Sequence, residues 1–363
     1  MTDMPSVWFG KRLVGGGAAP LLLPDIDLFF NQDMALAEFM LSSLVAAGIE
    51  IVKGAVLHRA EIALDDGTEA AYFDGNQILH ENYRALIARK VVSLAETDRL
   101  FAVARGAGID FVLSVYDIEG AAFARDIGAV AIKIPSSNIT HEPLIRFAAG
   151  LGLPLMIDTG KSSLDEIATA ENWAREGGAS ALLIEHSPPA PPAPLSQHHL
   201  QMIPTLSRLF RVPIGLSDHH HGLEMMLAGA ALGASVLEKG VVPDGADIDQ
   251  DTFHAMRLSE VAGLLTAVSA IHAAIGDPMR RLSPARAKPI DRMGLVARRD
   301  LEPGVEISLE TIDFAFPARG IGAELWSAVA GCRLIRAVRM GRPVSWNDIA
   351  YSGPTSGRAG HGK

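Results

Sequence analysis

Two groups of residues carry chemistry before any fold is assigned. The string Ser217-Asp218-His219-His220-His221-Gly222 sets imidazoles and a carboxylate in one short segment, a donor set suited to Mn, Fe or Zn. His219, nearest to the preceding apolar run, is the preferred ligand, whereas His220 and His221 also fit a solvated turn. Lys53, Lys133 and Lys239 each close an apolar run. A lysine so placed has a desolvated stem and needs an anion beside it. If that anion is external, the lysines define a pocket for a phosphate or carboxylate, with Ser136, Ser137, Thr159 and Ser217 as hydroxyl donors. If it is internal, each lysine pairs with a carboxylate such as Asp25, Glu50, Asp158 or Glu238.

Such residues need a scaffold that gathers them. Short apolar runs occupy residues 21–23, 49–52, 109–115, 129–134, 153–157, 181–184, 212–216 and 235–237, and amphipathic helical stretches fill most of the gaps. Eight strands alternating with helices, each apolar almost throughout, predict an α/β fold of the (β/α)8 TIM-barrel kind. A doubly wound open sheet is less suitable because no G-x-G-x-x-G opens the first helix. In a barrel the active site lies at the C-terminal strand ends. Asp25, Lys53, Ser114, Lys133, Asp158, Glu185, Ser217 and Glu238 all fall there.

The chain has 363 residues and a net charge of −10, without a basic run, which argues against a nucleic-acid partner. A single cysteine, Cys332, allows no internal disulfide and suits a reducing cytoplasm. Apolar runs break before the ~18 residues that would cross a bilayer, so no membrane contact is expected. Residues 10–24 are faintly signal-like, but Gly15-Gly16-Gly17 and the prolines interrupt them. Residues 54–95 form a polar excursion over one barrel end, and 187–194 a stiff Pro-rich loop. The boundaries expected are a barrel over 1–282, a linker over 283–293, a small β-rich domain over 294–350 and a flexible tail over 351–363. Within the small domain Gly304, Ile307, Ser308 and Ile312 are echoed by Gly341, Val344, Ser345 and Ile349, which suggests pseudo-symmetry.

The runs IKIPSSNITHEPLIRFAAGLGLPLMIDTGKSSLDEI, PTLSRLFRVPIGLSDHHHG and GASVLEK together resemble the N-acetylneuraminate (sialic acid) synthase family. Residues 299–349 resemble its antifreeze-like SAF (β-clip) domain. The resemblance implies condensation of phosphoenolpyruvate with an open-chain N-acylated hexosamine, assisted by a divalent metal, Mn or else Mg. It implies Lys53, Ser114, Lys133, Ser136, Thr159 and Ser217 around phosphoenolpyruvate, with Asp25, Lys53 and Lys133 catalytic. Asp25, Asn138, Asp247 and Arg319 would meet the sugar, and His219 with His221 the metal. A domain-swapped homodimer is the implied assembly.

The departures are specific. The family's eighth strand ends Glu-Lys/Arg-His, the histidine being the second metal ligand, but here it reads Glu238-Lys239-Gly240. Asp158 stands for a serine, Pro189 and Pro191 for an Asn/Tyr pair, and Phe316 for a sugar-binding arginine. Three functions remain open: a divergent synthase of nonulosonic acids, a catalytically weakened barrel that binds an anionic sugar or a partner, and a Schiff-base aldolase working through Lys133 or Lys239.

Overall fold

The computed structural model describes residues 5–74, 77–189, 193–246, 252–276 and 291–350. The chain divides into two compact units, residues 1–276 and 277–363. The first unit opens with an antiparallel hairpin of β1 (Ser6–Phe9) and β2 (Arg12–Gly15). The first two barrel strands follow, β3 (Leu21–Asp25) and β4 (Ile51–Val56). A second hairpin, β5 (Glu69–Asp74) and β6 (Gln77–Asn82), interrupts the alternation within the predicted excursion. Barrel strands then recur with helices between them: β7 (Asp110–Val115), β8 (Ala131–Ile134), β9 (Leu155–Asp158), β10 (Leu182–His186), β11 (Ile214–Asp218) and β12 (Val236–Val242). All are parallel, and β12 pairs with both β11 and β3, which closes an eight-stranded (β/α)8 barrel. The short strand β13 (Met256–Arg257) extends alongside β12. Capping boxes at Ser93/Glu96 and Ser163/Glu166 start the helices Leu94–Gly106 and Leu164–Glu176, each satisfying two otherwise orphaned donors.

Strand periodicity decides what enters the barrel. Leu23, Ile51, Val112, Ala131, Met156, Leu183 and Val236 form one inner cluster, while Leu22, Val52, Leu113, Ile132, Ile184, Leu216 and Leu237 join the separate core under the helices. Two residues beyond each inner apolar residue, the same face changes character. It becomes Asp25, Lys53, Ser114, Lys133, Asp158, Glu185 and Glu238, and on β11 Ser217 follows the inward Gly215. The lumen is therefore apolar below and charged at the mouth.

The lower end is covered by the N-terminal hairpin, whose Val7, Phe9 and Val14 belong to the inner cluster. Its turn lies against residues that precede strands: a Cβ on Gly10 would come 3.0 Å from Val130, and one on Gly15 would come 3.0 Å from Pro213. Residues 12–15, part of the faintly signal-like stretch, are thus a strand of this cover. The apolar stretch Leu258–Ile275 runs 18 residues, long enough by length and composition to cross a membrane, which corrects the expectation that every such run is broken. Val261, Leu264 and Val268 bury one side of it in the core under the barrel helices.

The second unit is described over 291–350. Strands β14 (Gly294–Ala297) and β15 (Ile312–Ala315) pair antiparallel over a core of Leu295, Leu301, Ile307, Ile321, Leu334 and Val344. The sequence echo has a structural counterpart. Gly304 and Gly341 both take positive φ, +90° and +72°, and Ile307, Val344, Ile312 and Ile349 are all buried.

Phe9, fully buried in the inner cluster, tests whether the hairpin is integral to the barrel. Phe9→Ala is expected to cost about 3–5 kcal/mol in urea unfolding. A loss under about 1 kcal/mol would mean that the hairpin frays independently of the barrel.

Candidate active site

At the mouth, the strand-end lysines meet the chain's own carboxylates. The Lys133 ammonium lies 2.9 Å from Asp158 Oδ2, 2.8 Å from Glu185 Oε2 and 2.5 Å from Glu238 Oε1. Lys53 is paired with Asp25 and lies 3.5 Å from the same Glu238 oxygen. Ser217 Oγ donates to that oxygen at 3.0 Å. Ser187 Oγ donates to Asp158 Oδ1 and accepts from the Gly160 N–H at 2.9 Å. Gly215 makes room for this cluster, because a Cβ there would stand 2.8 Å from Glu185 Cγ.

The protonation states follow from burial and from these neighbours. Burial acts against the charged form of Lys133, but Asp158, Glu185 and Glu238 together hold its pKa well above the usual lysine value. Lys53 is likewise raised, with Asp25 and Glu238 outweighing burial. Glu238 and Asp158 stay below their usual values despite burial, the former through Lys133 and Lys53 and the latter through Lys133 and Ser187. Glu185 is the exception: burial first, then Glu238, push it up to about 8 against the pull of Lys133. At neutral pH Glu185 is thus mostly the neutral acid. Its Oε1 is buried and has no hydrogen-bond partner.

The internal alternative therefore holds for all three lysines. An unpaired ammonium at this depth would cost several kcal/mol, so each has drawn in carboxylates. Lys239 does not join the other two. It lies on the opposite face of β12 from Glu238, bound by Asp218 Oδ2 at 2.7 Å and the His220 carbonyl at 2.6 Å. Lys161 is exposed and lines a neighbouring cavity of about 610 Å³ with Thr159, Ser162, His186 and His199.

The three adjacent histidines diverge. His219 continues the inward face of β11 and lines a cavity of about 120 Å³ with Asp25, Ser217, Glu238, Gly240 and His254. The His220 ring stands edge-on to His198, centroids 5.4 Å apart. His221 is exposed, with Nδ1 3.2 Å from the Phe253 carbonyl and its ring against Phe253. The imidazole that does meet His219 is His254, at a centroid distance of 4.7 Å. Burial lowers both pKa values, that of His254 the further, with His219 and Lys239 adding to it, so both rings are neutral near pH 7. His254 lies two residues before β13, away from the C-terminal ends of the barrel strands, and nothing in its local sequence singles it out.

The remaining candidates are placed as follows. Ser114 is buried on β7 in register with Lys133. Ser136 packs on Gly160, where a Cβ would come 2.4 Å from its own. Asn138 donates to the Tyr116 carbonyl at 3.0 Å and accepts from Ser137, which ties a loop. Asp247 and Pro191 lie outside the described residues. Arg319 is exposed in the second unit.

Two donor groups could hold a cation. Asp158, Glu185 and Glu238 bring oxygens within 4.8 Å of one another, but the Lys133 ammonium already sits among them. The neutral imidazoles of His219 and His254 are less tightly gathered with oxygens, but they line one cavity with Asp25 and Glu238, and imidazole nitrogen suits a divalent first-row ion.

Residues 40–280 match the NeuB family and residues 292–350 the SAF domain. The chain is 26% identical to an N,N'-diacetyllegionaminic acid synthase from Campylobacter jejuni over 86% of its own length and 94% of that protein's. It is 22% identical to a pseudaminic acid synthase from Helicobacter pylori, over 92% and 98% of the two lengths. Among solved structures, the N-acetylneuraminic acid synthetase of Leptospira borgpetersenii shares the fold with a TM-score of 0.69 at 22% identity, covering 78% of this chain and 94% of that one. With a family match that spans most of the barrel and relatives aligned along nearly their whole length, this chain belongs to the NeuB family.

Proposed function

We propose that the chain is a condensing synthase of the nonulosonic acid type. It joins the enol carbon of phosphoenolpyruvate to the aldehyde carbon of an N-acylated aldose. Water then adds at the enol-phosphate carbon and phosphate leaves, giving a 2-keto acid. The observation that carries this reading is the meeting of Lys53 and Lys133, from β4 and β8, on one oxygen of Glu238 beside Ser217. Two ammonium groups held on a shared carboxylate are preset to accept the two anionic ends of one small substrate.

In this reading Lys53 and Lys133 exchange internal carboxylate contacts for the substrate's carboxylate and phosphate. Ser217 and Ser136 add hydroxyl donors, Ser114 lies on the same inward face, and Thr159 lines the neighbouring cavity. Glu238 keeps both lysines aimed at the mouth. Glu185, protonated up to about pH 8, donates a hydrogen bond to the incoming anion where an ionised carboxylate would repel it. Asp25, beside Lys53, is placed for proton transfer on the aldose side. His219 would hold a divalent ion, Mn or Mg, whose chemistry is to polarise the aldehyde oxygen. Arg319 serves the sugar in the barrel of a second copy in a swapped dimer.

One observation favours a second reading, a binding barrel without turnover: both inward lysines are saturated by the chain's own carboxylates. Phosphate release separates the two. Incubated with phosphoenolpyruvate, Mn and N-acylated hexosamines, the purified chain is expected to release phosphate, and Lys53→Met is expected to lower kcat/KM by about 10²–10³-fold. No release with any acceptor, together with retained sugar binding, replaces the synthase by the binding barrel.

Glu185 yields a further prediction, in the pH dependence of stability. Its folded pKa of about 8 exceeds the ordinary 4.5, so stability is fullest below pH 4.5 for this group and is lost as pH rises through 8. Glu185→Gln is expected to gain on the parent in urea midpoint between pH 5 and pH 8. A difference between the two that does not change with pH would mean that Glu185 is ionised throughout. Light scattering that returns a monomer mass would remove the swapped dimer.

A further inference from the structure

We propose that His219 and His254 together bind one divalent transition-metal ion, the segment after β12 supplying the imidazole that the eighth strand lacks. This deepens the synthase reading, on which it rests for the use of the ion but not for the ion's binding.

Four observations carry it. The first is the pair itself. An imidazole that ligates at ~2.1 Å has its centroid about 3.2 Å from the ion, so two ligands 90–109° apart put their centroids roughly 4.5–5.2 Å from each other. His219 and His254 stand at 4.7 Å. The second is their unmet bonding. His254 is 6% exposed, and the Nδ1 atoms of both rings are buried without a hydrogen-bond partner. Two neighbouring buried ring nitrogens left without partners carry a desolvation cost that a shared ligand would offset.

The third observation is the cavity. Both rings open on a space of about 120 Å³ that Asp25, Ser217 and Glu238 also line, room for water to fill the remaining positions of an ion. Lys239 and Asp218 line the same space, and the Lys239 ammonium is bound by Asp218 Oδ2 at 2.7 Å, which offsets its charge against a cation. The fourth is Gly240. A Cβ there would lie 2.8 Å from the Phe29 ring and 3.4 Å from Ala255 Cβ, so the strand has no room for a ligand side chain at that position. Ala255, the neighbour of His254, packs over the glycine. Loss of the side chain at 240 and entry of an imidazole from 254 are two sides of one packing arrangement.

The test is metal binding measured without substrate, by calorimetry and metal analysis of the full chain with Mn²⁺, Co²⁺ and Zn²⁺. One equivalent is expected to bind, and His219→Ala and His254→Ala are each expected to weaken binding by about 100-fold. The Co²⁺ absorption spectrum is expected to change with either variant. His254→Asp, which keeps a donor atom, is expected to retain measurable binding, and it guards against loss of affinity through misfolding. If the parent binds no metal, if His254→Ala binds as the parent does, or if His221→Ala abolishes binding in its place, the proposal is overturned. Metal bound through His254 in a chain that releases no phosphate would leave this inference standing and remove the synthase. Phosphate release by a chain whose metal affinity ignores His254 would do the reverse.

Discussion

The whole upper half of the barrel is organised by the desolvation of two ammonium groups. Lys133 and Lys53 lie on inward positions of β8 and β4, and a charge so deep must be matched or it will not ionise. Matching is achieved from all around the barrel: Asp25 from β3, Asp158 from β9, Glu185 from β10 and Glu238 from β12. Each strand end is thereby tied to others across the lumen. Removing one partner would leave an uncompensated buried charge, so the mouth behaves as a unit. Four carboxylates exceed by two what two lysines can neutralise, and the proton on Glu185 removes one of those excess charges.

Much of this was legible from the sequence because strand periodicity is strict. Eight apolar runs specified the barrel, and chemically competent residues stood at their ends. Parity also separated neighbours: Glu238 points into the lumen while Lys239, one residue on, points away. Grouping Lys239 with Lys53 and Lys133 overlooked that alternation. What sequence could not rank was the competition for the lysines. Residue types showed that Asp25, Asp158 and Glu238 were available, but only three-dimensional closure brings three carboxylates within reach of Lys133. The turn pairs at Gly304 and Gly341 were legible for a different reason, since left-handed backbone restricts the residue type strongly.

The harder elements are those whose signal is not local. His254 carries no motif, and its meeting with His219 depends on how a loop returns over β12. A string of three histidines drew attention to His221, yet a turn cannot aim three successive side chains one way. The N-terminal hairpin was similarly obscure, because an apolar segment with glycines reads much the same whether it covers a barrel or precedes one.

That hairpin has a consequence for traffic. With Val7, Phe9 and Val14 seated against the inner apolar residues, the lower end of the lumen is filled by side chains. The charged layer lies at the opposite end, two residues further along each strand. A molecule that enters at the mouth therefore meets the charged layer before the apolar one.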